Sequence, residues 1–186
     1  MRKVNLSEVS EAKEGSRPQA GGYICKITKV EDLEDKEYLR IEYDIAKGDY
    51  EGYYQGIADK FGYWGASYIR SYKEKALPFF KRFCSAVSKS NNGYVFDGNT
   101  NADEQTLVGK LIGLVLGEEE YIGNNGELKT RLYVYNEMPI DNIVNEKFKV
   151  PALKKLPEDQ QPKAPNNTSA SFMEVENNGE TTYPFG

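Results

Sequence analysis

Tyr38-Leu39-Arg40-Ile41-Glu42-Tyr43-Asp44-Ile45 reads as a β-strand with two unlike faces. Leu39, Ile41, Tyr43 and Ile45 fall on one side; Tyr38, Arg40, Glu42 and Asp44 fall on the other. That is the two-residue period of a half-buried strand. Upstream, behind Gly21-Gly22, Tyr23-Ile24-Cys25-Lys26-Ile27-Thr28-Lys29-Val30 alternates in the same way and is rich in β-branched residues. The acidic run Glu31 to Lys36 separates the two as a turn. Downstream, Lys47-Gly48-Asp49-Tyr50-Glu51-Gly52 reads as a second turn, and Tyr53 to Phe61 as a third strand, weakened where Gly56 interrupts it.

Further along, Pro78 to Ser90 reads as a helix. Pro78 stands at its first position, where a missing N–H costs little. Phe80, Phe83, Cys84 and Val87 recur at helical spacing and are expected to face the core, with Lys81, Arg82, Ser85 and Lys89 opposite. Asn91-Asn92-Gly93 ends the helix, and Tyr94 to Glu104 is a polar loop. Leu107 to Glu118 is expected as a fourth strand, bent or bulged at Gly109, Gly113 and Gly117. Asn124-Asn125-Gly126 is a hairpin turn signal. Leu128 to Tyr135 is the fifth strand, with Lys129, Arg131, Tyr133 and Tyr135 on one face. The order strand, strand, strand, helix, strand, strand is that of the OB-fold, a mainly β, five-stranded Greek-key barrel with one helix between strands 3 and 4. Another small α+β sheet is the alternative architecture.

The ends differ from this core. Residues 1–20 are polar and irregular, an arm expected to pack loosely. Residues 21–149 hold the barrel. From Val150 the chain turns to Pro, Asn, Gln and Glu, and residues 150–186 are expected to form a disordered tail. After Pro157 one Lys stands against Glu158, Asp159, Glu174, Glu176 and Glu180, so most of the net charge of −5 lies in the tail. No leading apolar run and no membrane-length apolar run occurs, and Cys25 and Cys84 read as free buried thiols. Together these point to a reducing cytoplasm.

One stretch departs from the acidic average. Between Lys60 and Lys89 lie seven cations, Lys60, Arg70, Lys73, Lys75, Lys81, Arg82 and Lys89, against the single acid Glu74. Rings are interleaved with them, among them Tyr63, Trp64, Tyr68 and Tyr72. Cations track phosphates, and flat rings stack on bases without reading sequence. The pattern therefore points to single-stranded DNA. The expected contacts are Arg40, Lys60, Tyr63, Trp64, Tyr68, Arg70, Tyr72 and Lys73, joined by Lys129, Arg131, Tyr133 and Tyr135 of the fifth strand. The plainer reading of Phe80 and Phe83 is core packing.

The chemistry of catalysis is sparse. The chain has no His, which removes the commonest general base and most zinc sites. No phosphate-binding Gly-rich loop occurs. One enzymatic pattern survives: Glu127-Leu128-Lys129 with Asp103 upstream could serve a metal-dependent nuclease. A solvated strand edge explains the same residues. The expectation is a protein without catalytic activity, metal or other cofactor.

Several motifs, taken as an ordered set, carry a family resemblance. They are Gly22-Tyr23-Ile24-Cys25-Lys26-Ile27, Tyr38 to Ile45 with the Gly48/Gly52 turn, Pro78-Phe79-Phe80-Lys81-Arg82-Phe83, and Leu107-Val108-Gly109-Lys110 with Gly117-Glu118-Glu119-Glu120-Tyr121. Over about Gly21 to Asn145 the chain resembles the phage-type single-stranded DNA-binding proteins of Gram-positive phages and prophages. The resemblance implies an OB-type core and a part in DNA replication or recombination, without cofactor. Tyr183-Pro184-Phe185 is similar to the terminal Pro-Phe with which many single-stranded DNA-binding proteins recruit partner enzymes, although Gly186 follows and few acids precede it. A non-catalytic adaptor whose barrel binds protein stands as a further reading. Homo-oligomerisation is left open.

Overall fold

A computed structural model describes residues 17–157 and residue 160. The first strand, β1 (Gly21–Leu33), sets the curvature. Its beginning, Gly21 to Lys26, pairs antiparallel with β4, while Cys25 to Leu33 pairs antiparallel with β2. An irregularity between Ile27 and Lys29 lets the strand bend from one partner to the next. β2 (Tyr38–Ile45) then pairs with β3 (Ser67–Ser71), and β4 (Leu111–Ile122) with β5 (Leu128–Met138). The sheet order is β3-β2-β1-β4-β5, all antiparallel. β3 and β5, the outer strands, approach each other across a seam where Arg70 of β3 pairs with Glu137 of β5. The result is a nearly closed, mainly β barrel of the OB-fold type, as the order of elements predicts.

Alternation fills the barrel. Cys25, Ile27 and Val30 of β1, Leu39, Ile41 and Tyr43 of β2, and Ile112, Leu114 and Leu116 of β4 point inward and are buried. The helix α2 (Leu77–Ser90) closes one end, burying Phe83, Cys84, Ala86 and Val87. Phe80 packs half-buried beside them, and Lys81, Arg82 and Lys89 face solvent. The Asn91 side chain stitches the helix end to β4: its amide donates to the Val87 and Leu111 carbonyls at 2.8 Å, and its oxygen accepts from the Leu111 N–H at 3.0 Å. Cys25 and Cys84 are free and buried.

The third strand is a correction. Tyr53–Phe61 is a helix, α1, and the strand that follows β2 in the sheet is Ser67–Ser71. Buried Asp44 decides the matter at the helix start. Its carboxylate accepts the N–H groups of Tyr54 and Gln55 at 3.0 and 3.1 Å, satisfying donors that a first helical turn leaves open. Gly62, with φ of +75°, ends the helix, and its N–H reaches the Ala58 carbonyl. Tyr53, Tyr54 and Ile57 then share the inward side, and Gly56 lies on the exposed side. The fourth strand also starts later than expected, because Glu104–Leu107 forms a 3₁₀ turn before it.

The ends pack more closely than composition implies. Pro18 is fully buried, and Arg17 reaches β5 and β4. After β5 comes the short helix α3 (Ile140–Val144), and the chain then crosses the outside of β1 and β4. Two glycines make room for it. A Cβ on Gly22 would meet the Phe148 ring at 2.4 Å, and one on Gly117 would meet Pro151 at 2.6 Å. Lys154 lies beside β4, its N–H on the Glu118 carbonyl and its carbonyl on the Glu120 N–H, both at 2.9 Å. The expected boundary at residue 149 therefore moves outward to about Pro157. Most of the expected tail, including Tyr183, Pro184 and Phe185, lies outside the described residues.

Candidate nucleic-acid interface

The expected contacts separate into three groups. Tyr63 follows α1 and is 60% exposed. It stands 6.3 Å, ring to ring, from exposed Phe61, whose ring lies 5.3 Å from the Lys60 ammonium. Across from it runs the outer face of β5. Tyr63, Arg131 and Tyr133 line one cleft of about 330 Å³. Tyr53, Tyr121 and Arg17 line it as well, with Thr130, Leu132 and Val134 from the core-facing side of β5. Tyr135 continues the β5 face, half exposed, its ring 6.5 Å from that of Tyr133. Lys129 precedes Arg131 on that face and pairs loosely with Glu127 at 3.7 Å.

The two cations that line the cleft, Arg17 and Arg131, are held but not sealed, and Lys154 lies just outside it. Arg131 lies 2.9 Å from Glu119 and 5.2 Å from the Tyr121 ring centre. Lys154 reaches the other oxygen of Glu119 at 3.1 Å. Arg17 pairs with Glu118 at 3.0 Å and donates to the carbonyl and hydroxyl of Thr130. Hydrogen bonds from Lys154, and then from Arg131, hold the Glu119 carboxyl below its ordinary pKa against the opposing effect of desolvation. Side chains of Arg131 and Lys154 are 61% and 68% exposed and stay within reach of solvent and of a competing anion, while their shared partner Glu119 is 16% exposed.

A second group is structural. Tyr68 and Arg70 alternate inward on β3, opposite Ile41 and Leu39. The Tyr68 ring packs on Tyr43 at 5.9 Å, and the Arg70 guanidinium lies 5.1 Å from the Tyr68 ring centre before reaching Glu137. Burial pushes the pKa of both Glu137 and Tyr68 upward. The Tyr68 hydroxyl and the second Glu137 oxygen are buried without a hydrogen-bond partner among the described residues. Trp64 is half-buried against the core and donates its indole N–H to the Tyr43 carbonyl at 3.2 Å. Tyr72 packs on Phe80 and donates its hydroxyl to Asp32 at 2.8 Å. Burial, then the hydrogen bond to Asp32, pushes its pKa up to about 12. Trp64, Tyr68, Arg70 and Tyr72 are thus occupied in holding the barrel together.

The third group lies apart from the cleft. Arg40 stands exposed on the outer face of β2, paired with Glu31 at 3.4 Å. Lys73 is exposed at the entrance to the turn before α2. Asp103 accepts the Gln105 N–H at the start of the 3₁₀ turn, and Glu127 pairs with Lys129 at the β4–β5 hairpin. Each is engaged in its own turn, and no group of three metal-binding side chains is assembled among the described residues.

Arg17, Tyr53 and Tyr121 line the cleft without having been expected there, and Lys154 stands beside it through Glu119. Arg17 and Lys154 are brought in from outside the barrel by contacts that no local pattern announces. Tyr121 carried a signal, since it shares the outer face of the β4–β5 ribbon with Lys129, its register partner.

Compared with known proteins, the chain matches no family model, and no curated protein is significantly similar to it in sequence. No helix among the described residues is long and apolar enough to cross a membrane.

Proposed function

We propose that this protein binds single-stranded DNA, without sequence choice and without catalysing a reaction on it. The observation that carries the reading is the cleft between α1 and β5, where Tyr63, Tyr121 and Tyr133 stand beside Arg17 and Arg131. Rings of this kind accept bases by stacking, and the cations accept phosphates. Glu118 and Glu119 neutralise those cations in the free protein. A phosphate entering the cleft takes over the guanidinium groups by exchange, and counterions leave the DNA. A barrel of this type offers such a surface on its strands and loops. The order of motifs supports a part in phage or prophage DNA replication or recombination, in the host cytoplasm.

The test is fluorescence anisotropy with a labelled oligothymidine strand and a labelled duplex at matched salt. Single strands should bind more tightly. Log affinity should fall with log salt at about −0.7 per neutralised phosphate. Equal or tighter binding of the duplex would overturn the reading.

A further inference from the structure

Away from the tyrosine cleft, α2 and the loop after it enclose a second concavity. Leu77, Phe80 and Phe96 form its floor, and Val95 and Pro78 its rim, in a groove of about 660 Å³. It runs on past Leu77, Phe80 and Phe96 into a further 490 Å³ beside Tyr72. Each half is the size of a ligand cleft. Leu77 and Val95 are 47% and 56% exposed, a cost in water unless something covers them. No residue lines both this groove and the tyrosine cleft.

The walls are fixed in advance. Phe96 packs on Phe80 and Phe83 at 6.4 and 6.3 Å, and its N–H is held by the Ser88 hydroxyl at 3.0 Å. Asp97 ties the loop by accepting the N–H groups of Asn99, Thr100 and Asn101. A site that needs no ordering loses less on binding.

Charge separates the two halves. Asp97 lines both halves; Lys81 joins it in the first, and Asp32, Glu34 and Glu104 join it in the second, with no Lys or Arg among that half's lining residues. Hydrogen bonds from Thr100 and the loop backbone hold the Asp97 carboxyl well below the ordinary range, so it stays anionic. Nucleic acid is repelled here, and so is the acidic end of this chain, where Glu174, Glu176 and Glu180 precede Tyr183-Pro184-Phe185.

We propose that this groove is a docking site for a short segment of a partner protein, with a bulky apolar anchor for the Leu77–Phe80–Phe96 floor and Lys or Arg for the acidic half. The inference stands independently of DNA binding, since it uses none of the same residues.

The experiment is selection of random dodecapeptides, displayed on phage, against the full chain, followed by anisotropy with the synthetic winners. Enriched peptides should combine an aromatic or aliphatic anchor with flanking Lys or Arg. Leu77→Glu, and separately Val95→Glu, should weaken them roughly tenfold or more. Glu34→Lys with Glu104→Lys should weaken them as well, while oligothymidine affinity at about 0.15 M salt, where charges this far from the cleft are screened, stays within about twofold in every variant. Melting curves confirm that the variants fold; both single changes are at exposed positions. Failure to enrich such peptides, or winners indifferent to all these changes, overturns the proposal. Tighter binding of a synthetic 173–186 peptide would instead make the chain's own end the occupant. Self-association abolished by Leu77→Glu would make it a second copy. Either result also overturns the proposal.

Discussion

The tyrosine cleft and the β3–β5 seam are built from the same residue types and do opposite work. In the cleft, Arg131 pairs with Glu119 beside Tyr121; in the seam, Arg70 pairs with Glu137 beside Tyr68. The Arg131 side chain is 61% exposed and that of Arg70 is 19% exposed, while Glu137 is sealed from water. Exposure converts one ion pair into an exchangeable contact and the other into a fastening. A solvated pair is worth little and yields to a competing anion. A desolvated pair is hard to break, because the partner left behind is a buried charge.

That contrast is open to direct attack, and the largest effect belongs to the seam. Arg70→Ala leaves Glu137 buried without its partner and should cost about 3–5 kcal/mol of stability, measured by urea unfolding. Glu137 already has a raised pKa, and loss of Arg70 raises it further. An acid whose folded-state pKa stands above its unfolded value favours the folded state at low pH and loses that advantage as pH rises through the folded value. The defect should therefore be deepest at neutral pH and shrink toward the acid side. A deficit independent of pH would mean that Glu137 is not the charge being stranded.

In the cleft the same kind of change should act on binding instead. Tyr63→Ala should weaken oligothymidine binding by about 1–3 kcal/mol. Its stability should stay within about 0.5 kcal/mol of the parent, as for exposed side chains generally. Arg131→Ala should weaken binding and flatten the salt dependence by about one phosphate's worth. If Tyr63→Ala unfolds the protein or binds like the parent, the two regions are not divided as described.

Trp64 sits between the two cases and sharpens the division. Trp64→Phe removes the hydrogen bond to the Tyr43 carbonyl and should cost about 1 kcal/mol of stability, seen in urea melts, with DNA affinity unchanged. Affinity lost without stability would return Trp64 to the ligand surface. The smallest effect is expected from a chain ending at Pro157. It keeps the contacts of Lys154 and removes five acids and one Lys, so oligothymidine should bind modestly more tightly at low salt, the gain fading at about 0.15 M.

The division also marks what a linear reading can reach. β1, β2 and β5 were legible because each alternates over eight or more residues, and α2 because Phe80, Phe83, Cys84 and Val87 keep helical spacing. Tyr53–Phe61 was misread because tyrosines favour strands and Gly56 looks like a break. The group that makes it a helix, Asp44, lies ten residues away. β3 is five residues of Ser, Tyr, Ile and Arg, too short for a period to show which side is buried. Interleaved rings and cations drew attention to Lys60–Tyr72, and of these Lys60, Phe61 and Tyr63 are exposed there, while Arg70 pairs with a residue 67 positions away. The β5 face was read more accurately, since Lys129, Arg131 and Tyr133 do share one side.

The glycine seats on β1 and β4 bear on where the molecule can be cut. Gly22 takes the Phe148 ring, Gly117 takes Pro151, and Lys154 occupies the backbone of β4 beyond the end of β1. A fragment stopped near Asn145 would bare that strand's hydrogen-bonding groups from Glu118 to Glu120 and uncover Ile24 and Val115 beside them. Such an unguarded margin is a template for another chain to add onto. The segment from Phe148 to Leu156 thus acts as a selvedge: it keeps a ribbon that is sticky along one side from knitting to its neighbours, and a unit that retains this guard runs through Pro157.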